Sequence, residues 1–234
     1  MKKKWYQFTK IDEDVTELLI YGDIEDYKWL ESDVTAYNFA DDLAKIETAN
    51  LKVRINSYGG SVSSGLAIYN LLKTSSKHIV TVNDGFACSA ASIIFMAGKE
   101  RIMPKTSLLM IHNAWSYASG DANAFRKAAE DLDIITRPSI EAYKAVAKIN
   151  EDTIKELMDH ESWLTAEQAL EYGFATKIEN EEPKQCINGE FYLRNSIIEN
   201  TKLNKKIYIL ERENEELKER LKNNKPLNSW KGFF

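Results

Sequence analysis

Residues 51–72 read LKVRINSYGGSVSSGLAIYNLL, and this stretch decides the fold class. An apolar segment at 51–55 predicts a strand, and a turn with two glycines follows it. Apolar residues at 62–72 then recur near helical spacing, which predicts a helix. The stretch is therefore a strand, turn and helix unit.

Residues 78–96 repeat this order of strand, turn and helix. They predict a strand at 78–83, a turn at Asp84-Gly85 and a short apolar helix at 89–96. Parallel pairing needs a crossover connection, which a helix between two strands supplies. Two successive units therefore predict an α/β fold with parallel strands covered by helices.

Further predicted elements lie on both sides of this centre. They are a strand at 15–24, a helix at 33–48 behind a possible Ser32 cap, a strand at 107–112, helices at 122–149, 151–158 and 166–171, and a hairpin at 186–192. Pro138 removes a backbone donor inside the longest helix, so we expect a kink or a division near residue 137. The globular body should close near residue 194.

Composition bounds the function. The chain has 234 residues, of which 44% are hydrophobic and 29% charged, as expected for one globular body with an appendage. A net charge of -5 without a basic stripe argues against nucleic acid as a partner. Two cysteines and three histidines predict neither a disulfide framework nor a metal site, and we expect no cofactor. The absence of a signal sequence or long apolar run predicts a cytoplasmic protein without a membrane partner.

The last 40 residues differ from the body. We therefore divide the chain into a body at 1–194, a heptad helix at 195–225 and an aromatic tail at 226–234. The heptad positions are Leu203, Leu210 and Leu217, followed four residues later by Ile207, Asn214 and Leu221. This pattern fits a coiled coil between chains, and equally an amphipathic helix packed on its own body.

Ser89 is the candidate nucleophile. It lies among small residues, GFACSAAS at 85–92, after a predicted strand and at the start of a predicted helix. Free N–H groups and the positive end of the helix dipole favour negative charge at that point, which suits acyl transfer. A small-residue helix packed closely on a sheet would give the same pattern. Cys88 is a second candidate nucleophile. Successive side chains on an extended segment point in opposite directions, however, which makes it difficult for Cys88 and Ser89 both to face one site.

A serine hydroxyl needs a base, and His112 is the candidate. It lies at the carboxyl end of a predicted strand, where the active sites of parallel sheets are usually found. By contrast, the sequence predicts that His78 lies at the start of a strand and that His160 is exposed. A carboxylate should orient the imidazole. The carboxylates available are Glu161, Asp159 and Asp152, and spacing does not choose between them.

Gly59 and Gly60 could supply the third part of such a site. Two glycines at the end of a strand can turn successive amide N–H groups toward a ligand, as an oxyanion hole requires. The turn could equally serve chain reversal alone. It is not a phosphate loop, because no Gly-Lys-Ser/Thr follows.

Four blocks of the sequence together resemble the Clp protease proteolytic subunit family. They are INSYGGSV at 55–62, GFACSA at 85–90, MIH at 110–112 and WLTAEQALEYG at 163–173. The resemblance implies a crotonase-like α/β fold of repeated β-β-α units, with a long handle helix at about 122–149 that meets its counterpart in a facing ring. It also implies a homo-oligomeric ring that cleaves protein or peptide substrates.

The resemblance also implies roles for individual residues. By position, Ser89 is the nucleophile and His112 the base, while Gly60, together with Gly59, and Ala90 contribute oxyanion amides. Glu161 stands where the family has its triad aspartate, and its side chain is one methylene longer. We therefore hold Asp159 in reserve.

The chain departs from the housekeeping pattern of the family at several places. Besides Glu161, these are Tyr58 in place of proline, Ala90 in place of methionine, Asn113-Ala114 in place of Gln-Pro, and the heptad tail. Together these departures resemble the Clp-type head maturation proteases of tailed bacteriophages, which trim scaffold and capsid precursors. Two alternatives stay open. One is a housekeeping subunit fed by an AAA+ unfoldase, and the other is a catalytically silent ring that organises scaffold.

Overall fold

A computed structural model describes residues 5–24 and 36–179 of the chain. The predicted Ser32 cap, the hairpin at 186–192, the heptad helix and the aromatic tail all lie outside the described residues. The proposed division at residues 194 and 225 therefore stays a prediction.

The described residues form eight strands and six helices. In chain order they are β1 (Tyr6–Lys10), β2 (Val15–Tyr21), α1 (Ala36–Ala44), β3 (Asn50–Ser57), α2 (Val62–Thr74), β4 (His78–Cys88), α3 (Ala90–Phe95), β5 (Glu100–Pro104), β6 (Leu108–Ile111), α4 (Ala122–Lys144), α5 (Glu151–Asp159), β7 (Ser162–Thr165), α6 (Ala166–Glu171) and β8 (Lys177–Glu179). None of these helices combines the length and the apolar character that a membrane span needs.

The strands form one sheet in the order β1-β2-β3-β4-β5-β8, and β6 and β7 extend it from β4. All neighbours along the main path are parallel except β1 and β2, which are antiparallel. On β3 the alternate residues Leu51, Val53 and Ile55 are fully buried, and they join a core that includes Ile68 and Leu72 of α2. The predicted α/β class, with parallel strands covered by helices, is confirmed. Strands β1, β5, β7 and β8 were not predicted.

Strand β4 changes its partner halfway along. Its residues 80–82 pair with β5, whereas residues 86–88 pair with β6. At the change, the buried Asn83 donates a hydrogen bond from Nδ2 to the Leu108 carbonyl at 2.9 Å. The predicted turn at Asp84-Gly85 is therefore wrong. The strand continues through it because a second partner strand satisfies the backbone groups beyond the glycine.

Helix α4 contains Pro138 without a break. Of the kink or division expected near residue 137, the division is wrong and the kink stays a prediction. The helix ends at Lys144 rather than at residue 149. Packing explains the continuity, because the half that follows the proline buries Ile140 and Tyr143 against the body. The Tyr143 hydroxyl also lies 2.7 Å from Ser92 Oγ on α3. These contacts offset the backbone hydrogen bond that proline cannot make.

Arg101 is a buried cation without a carboxylate partner among the described residues. Its guanidinium donates to three carbonyl oxygens, those of Gly98 at 2.8 Å, Gly173 at 3.0 Å and Phe174 at 2.8 Å. Burial lowers the pKa of the Arg101 guanidinium. The side chain therefore ties β5 to the segment between α6 and β8.

We expect Arg101→Ala to lower the free energy of unfolding by about 3 kcal/mol, because it leaves buried carbonyls without donors. Urea titration followed by circular dichroism measures the change. Arg126→Ala is the matched control, since Arg126 is exposed and its guanidinium donates to the Asn123 side chain at 2.9 Å. Equal stability of the two variants would show that the buried guanidinium contributes nothing.

Candidate active site

Ser89 occupies the junction between β4 and α3. Its backbone has φ 54° and ψ -127°, a left-handed conformation that a non-glycine residue adopts at a cost of about 1–3 kcal/mol. Neighbouring groups hold this conformation, because the Ser89 N–H donates to the Met110 carbonyl at 3.0 Å and Ser92 Oγ donates to the Ser89 carbonyl at 2.6 Å. The Ser89 hydroxyl does not cap α3. It therefore remains available for chemistry at the start of the helix.

The register of three strands brings His112 to the same edge of the sheet. Cys88 of β4 pairs with Met110 of β6, and Ile111 pairs with Ser162 of the antiparallel β7. Because His112 follows Ile111 and Glu161 precedes Ser162, these two residues face each other beyond the last pair. The predicted base thus lies one strand away from the predicted nucleophile.

Glu161 is the carboxylate that contacts this imidazole. Its Oε1 lies 3.7 Å from His112 Nδ1, which is longer than a hydrogen bond but within ion-pair range. The His112 side chain is 9% exposed and that of Glu161 73% exposed. Glu161 has φ 47°, a second left-handed residue at this edge.

The other predicted acids have different surroundings. Asp159 Oδ1 accepts a hydrogen bond from Asn113 Nδ2 at 2.7 Å, next to His112 in sequence. Asp152 lies in the first turn of α5, at the far end of that helix from Asp159. The structure therefore brings Glu161, and through Asn113 also Asp159, to the edge that carries His112.

The remaining two histidines engage other groups. His78 begins β4, at the opposite end of the strand from Ser89, and its Nε2 lies 3.4 Å from Glu100 Oε1. The His160 ring contacts the Glu156 carbonyl through Nδ1 at 2.8 Å. Neither residue shares the strand ends on which Ser89 and His112 lie.

Gly59 packs directly against the nucleophile. A methyl group in place of its hydrogen would lie 2.6 Å from both Ser89 Cβ and the Cys88 carbonyl oxygen, closer than real contacts allow. Gly59 also has φ 99°, which favours glycine. The supporting role of Ser57 was not predicted: its Oγ accepts the Gly59 N–H at 3.0 Å and donates to the Gly22 carbonyl at 2.6 Å. Its place before a glycine turn is the signal for such a bond.

Gly60 follows the glycine that packs on Ser89, and Ala90 follows Ser89 in the chain. The Ile24 N–H donates to the Gly59 carbonyl, and the Ser61 N–H donates to the Ile24 carbonyl, each at 2.8 Å. In a parallel bridge of this kind the Gly60 N–H points away from Ile24. Ala90 is the first residue of α3, so its N–H has no partner within the helix. Within the described part of the chain, neither amide has a protein acceptor.

The thiol of Cys88 is buried and unreactive. Its side chain is fully buried, and burial raises the pKa of the thiol to about 12. Since the thiolate is the nucleophilic form, this thiol stays protonated at neutral pH. Elsewhere in residues 5–24 and 36–179, no three His, Cys, Asp or Glu side chains gather as metal ligands.

Several curated proteins are similar to this chain. The proteolytic subunit 3 of the ATP-dependent Clp protease from Rhodococcus jostii is 35% identical over 126 residues, which cover 53% of this chain and 62% of that protein. The proteolytic subunit 2 from Tropheryma whipplei is 36% identical over 134 residues, covering 54% of this chain and 72% of its own length. The corresponding subunit from Bacteroides fragilis is 30% identical over 135 residues, covering 55% and 63%.

These similarities agree with a match at the level of the whole family. Residues 24–182, which include every strand and helix from α1 to β8, match the family described as Clp protease. The matched range contains Ser89, His112, Glu161 and the Gly59-Gly60 turn. The chain therefore belongs to the Clp protease family.

Proposed function

We propose that the chain is a serine endopeptidase in which Ser89 attacks a peptide carbonyl. The observation that carries this proposal is the convergence of three strand ends on one edge of the sheet. β4 ends beside Ser89, β6 ends beside His112, and the register between β6 and β7 places Glu161 against His112. The family match supports the same chemistry.

The reaction begins with transfer of the Ser89 proton to His112 while Oγ bonds to the carbonyl carbon. The carbonyl π electrons move to oxygen, and the resulting oxyanion accepts hydrogen bonds from Gly60 and Ala90. Gly59 N–H already donates to Ser57 Oγ, so we assign Gly59 a packing role beside Ser89. His112 then returns the proton to the leaving amine, and water repeats the sequence on the acyl-enzyme.

Glu161 orients His112 in this scheme. A carboxylate at Nδ1 fixes the tautomer that leaves Nε2 free to accept the serine proton, and it stabilises the imidazolium that forms. The exposed Glu161 side chain can move toward the ring from its present 3.7 Å. Asp159 remains the alternative orienting carboxylate, because it accepts a hydrogen bond from Asn113, the residue that follows His112.

For the biological substrate we favour phage scaffold and capsid precursors, cleaved in the cytoplasm of an infected cell. The departures at Tyr58, Ala90 and Asn113-Ala114, together with the heptad pattern of the tail, support this branch. Homo-oligomeric assembly through α4 is part of the proposal, since Phe125, Ile134 and Ile135 expose 54%, 58% and 45% of their surface.

Two other functions compete with this one. The curated relatives are named as subunits of an ATP-dependent protease, which favours a housekeeping subunit with an AAA+ unfoldase. Stable capture of such an unfoldase in a pull-down would support that function. A catalytically silent ring would instead show no labelling of Ser89 and would support particle assembly after Ser89→Ala.

Ser89→Ala and His112→Ala should each lower kcat/KM for an unstructured peptide by about 10³-fold or more, because nucleophile and base act as one unit. A fluorogenic peptide assay measures the rate. A fluorophosphonate probe should label the unmodified protein at Ser89, as located by mass spectrometry. His78→Ala is the matched control. Retention of most activity by His112→Ala would refute the assigned base.

Glu161→Gln should lower kcat by about tenfold, because the imidazolium loses its counter-charge while the neutral amide can still contact the ring. Asp159→Asn keeps the geometry at the Asn113 contact and should change kcat by less. The same assay over a range of pH compares the two variants. A larger loss in Asp159→Asn would move the orienting role to that residue.

Cys88 should resist alkylation in the folded protein. At pH 8 the thiol, with its pKa raised to about 12, remains protonated and buried. Iodoacetamide followed by peptide mass spectrometry should modify Cys88 only after denaturation, because unfolding exposes the thiol and removes the burial that raises its pKa. Cys88→Ala should retain activity. Loss of turnover together with an unchanged fold would restore the thiol as a candidate nucleophile.

A further inference from the structure

Two buried hydroxyl groups are connected to the main chain of Ser89. Tyr143 on α4 is 1% exposed, and Ser92 on α3 is fully buried. The Tyr143 hydroxyl lies 2.7 Å from Ser92 Oγ, and Ser92 Oγ donates to the Ser89 carbonyl oxygen at 2.6 Å. Tyr143 and Ser92 therefore form a hydroxyl relay that ends on the backbone of Ser89.

The number of protons fixes the direction of this relay. A serine hydroxyl carries one proton, and Ser92 donates it to the Ser89 carbonyl, so Ser92 Oγ accepts from Tyr143. Burial raises the pKa of the Tyr143 hydroxyl, which therefore keeps its proton at neutral pH. Hydrogen bonds in series polarise one another, so the bond from Tyr143 strengthens the bond from Ser92 to Ser89.

The Ser89 carbonyl belongs to the same peptide unit as the Ala90 N–H. No cis peptide bond occurs in the described residues, so the C=O and N–H of this planar unit point in opposite directions. The N–H groups of Ser92 and Ile93 also donate to this carbonyl, at 2.9 and 3.3 Å, as expected in the first turn of a helix. The hydroxyl relay adds a further donor on that side, and the Ala90 N–H is thereby directed away from it.

The conformation of Ser89 depends on such support. Ser89 has φ 54° and ψ -127°, and a rotation about ψ would move its carbonyl and the Ala90 N–H together. A non-glycine residue keeps a left-handed conformation only where its surroundings fix it. The Tyr143 ring is itself fixed, because it packs edge-on against the buried Phe174 ring with centroids 5.8 Å apart.

We propose that Tyr143 and Ser92 are positioning residues that orient and polarise the Ser89–Ala90 peptide, so that the Ala90 N–H donates more strongly to the oxyanion. This role rests on the proposed peptidase function, in which the Ala90 N–H is an oxyanion donor. Both hydroxyls are buried, so neither contacts the substrate. Full negative charge develops on the carbonyl oxygen only during the reaction. Loss of either hydroxyl should therefore lower kcat and leave KM nearly unchanged.

The test uses variants of the full-length protein and a fluorogenic peptide. Tyr143→Phe removes only the phenolic oxygen and should lower kcat by about fivefold, with KM within about twofold of the unmodified protein. Ser92→Ala removes the hydroxyl bond to the Ser89 carbonyl and should lower kcat by about tenfold. The double variant should be no slower than Ser92→Ala, because Tyr143 acts only through Ser92.

Tyr6→Phe is the matched control. Tyr6 is as deeply buried as Tyr143, and its hydroxyl donates to Asp42 Oδ2 at 2.9 Å, but β2 and β3 separate its strand from β4. This variant should keep the kcat of the unmodified protein. Urea titration followed by circular dichroism gives the folded fraction by which every rate is corrected. If Ser92→Ala does not fold, Tyr143→Phe decides the outcome alone, since it keeps the shape of the ring.

Several results would overturn the relay while the proposed function stands. They are an unchanged corrected kcat in Tyr143→Phe and Ser92→Ala, an increase in KM in place of the fall in kcat, additive losses in the double variant, or an equal loss of kcat in Tyr6→Phe. Failure of a fluorophosphonate probe to label Ser89 in the unmodified protein would overturn the proposed function itself, and the relay with it.

Discussion

On the side away from β3, strand β4 pairs first with β5 and then with β6, and the arrangement of the site depends on this change of partner. The half that contains Val80 and Val82 pairs with β5, whereas Phe86 to Cys88 pair with β6. Only the second pairing brings the Met110 carbonyl to the Ser89 amide. Without it, His112 and Glu161 would have no fixed relation to the serine.

The change of partner depends on a few polar side chains that satisfy the backbone where the ladders are interrupted. Asn83 donates to the Leu108 carbonyl, and Asn56 Oδ1 accepts the Phe86 N–H at 3.2 Å, beside the register shift between β3 and β4. Buried backbone groups without partners would be costly there. On the outer face Arg54 forms a bidentate pair with Asp84, and hydrogen bonding to that carboxylate raises the pKa of the guanidinium. Polar contacts thus stabilise the part of β4 where the partner strand changes, and apolar packing alone would not fix its position.

The sequence predicted the parts of the fold that depend on local patterns. The strand and helix units at 51–72 and 78–96, and the parallel sheet that follows from them, needed only apolar spacing and glycine turns. The continuation of β4 through Asp84-Gly85 was not predictable in this way, because it requires β6 as a partner. Strand β7 has only four residues, and the unbroken α4 depends on burial around Ile140 and Tyr143, which no local rule reports.

For the site, small residues around Ser89 and the strand-end position of His112 were visible in the sequence. Spacing left three carboxylates open, since their distances from the imidazole depend on the register between β6 and β7. Glu161 also has a left-handed backbone, φ 47°, directly after the C-cap of α5, which a glycine would occupy with less strain. In the proposed mechanism, folding stability and acid–base chemistry therefore make opposing demands on one residue: replacing Glu161 by glycine would relax the turn and remove the charge. This is a local stability–activity trade-off, so a stabilised form of this protein should be sought at positions other than 161.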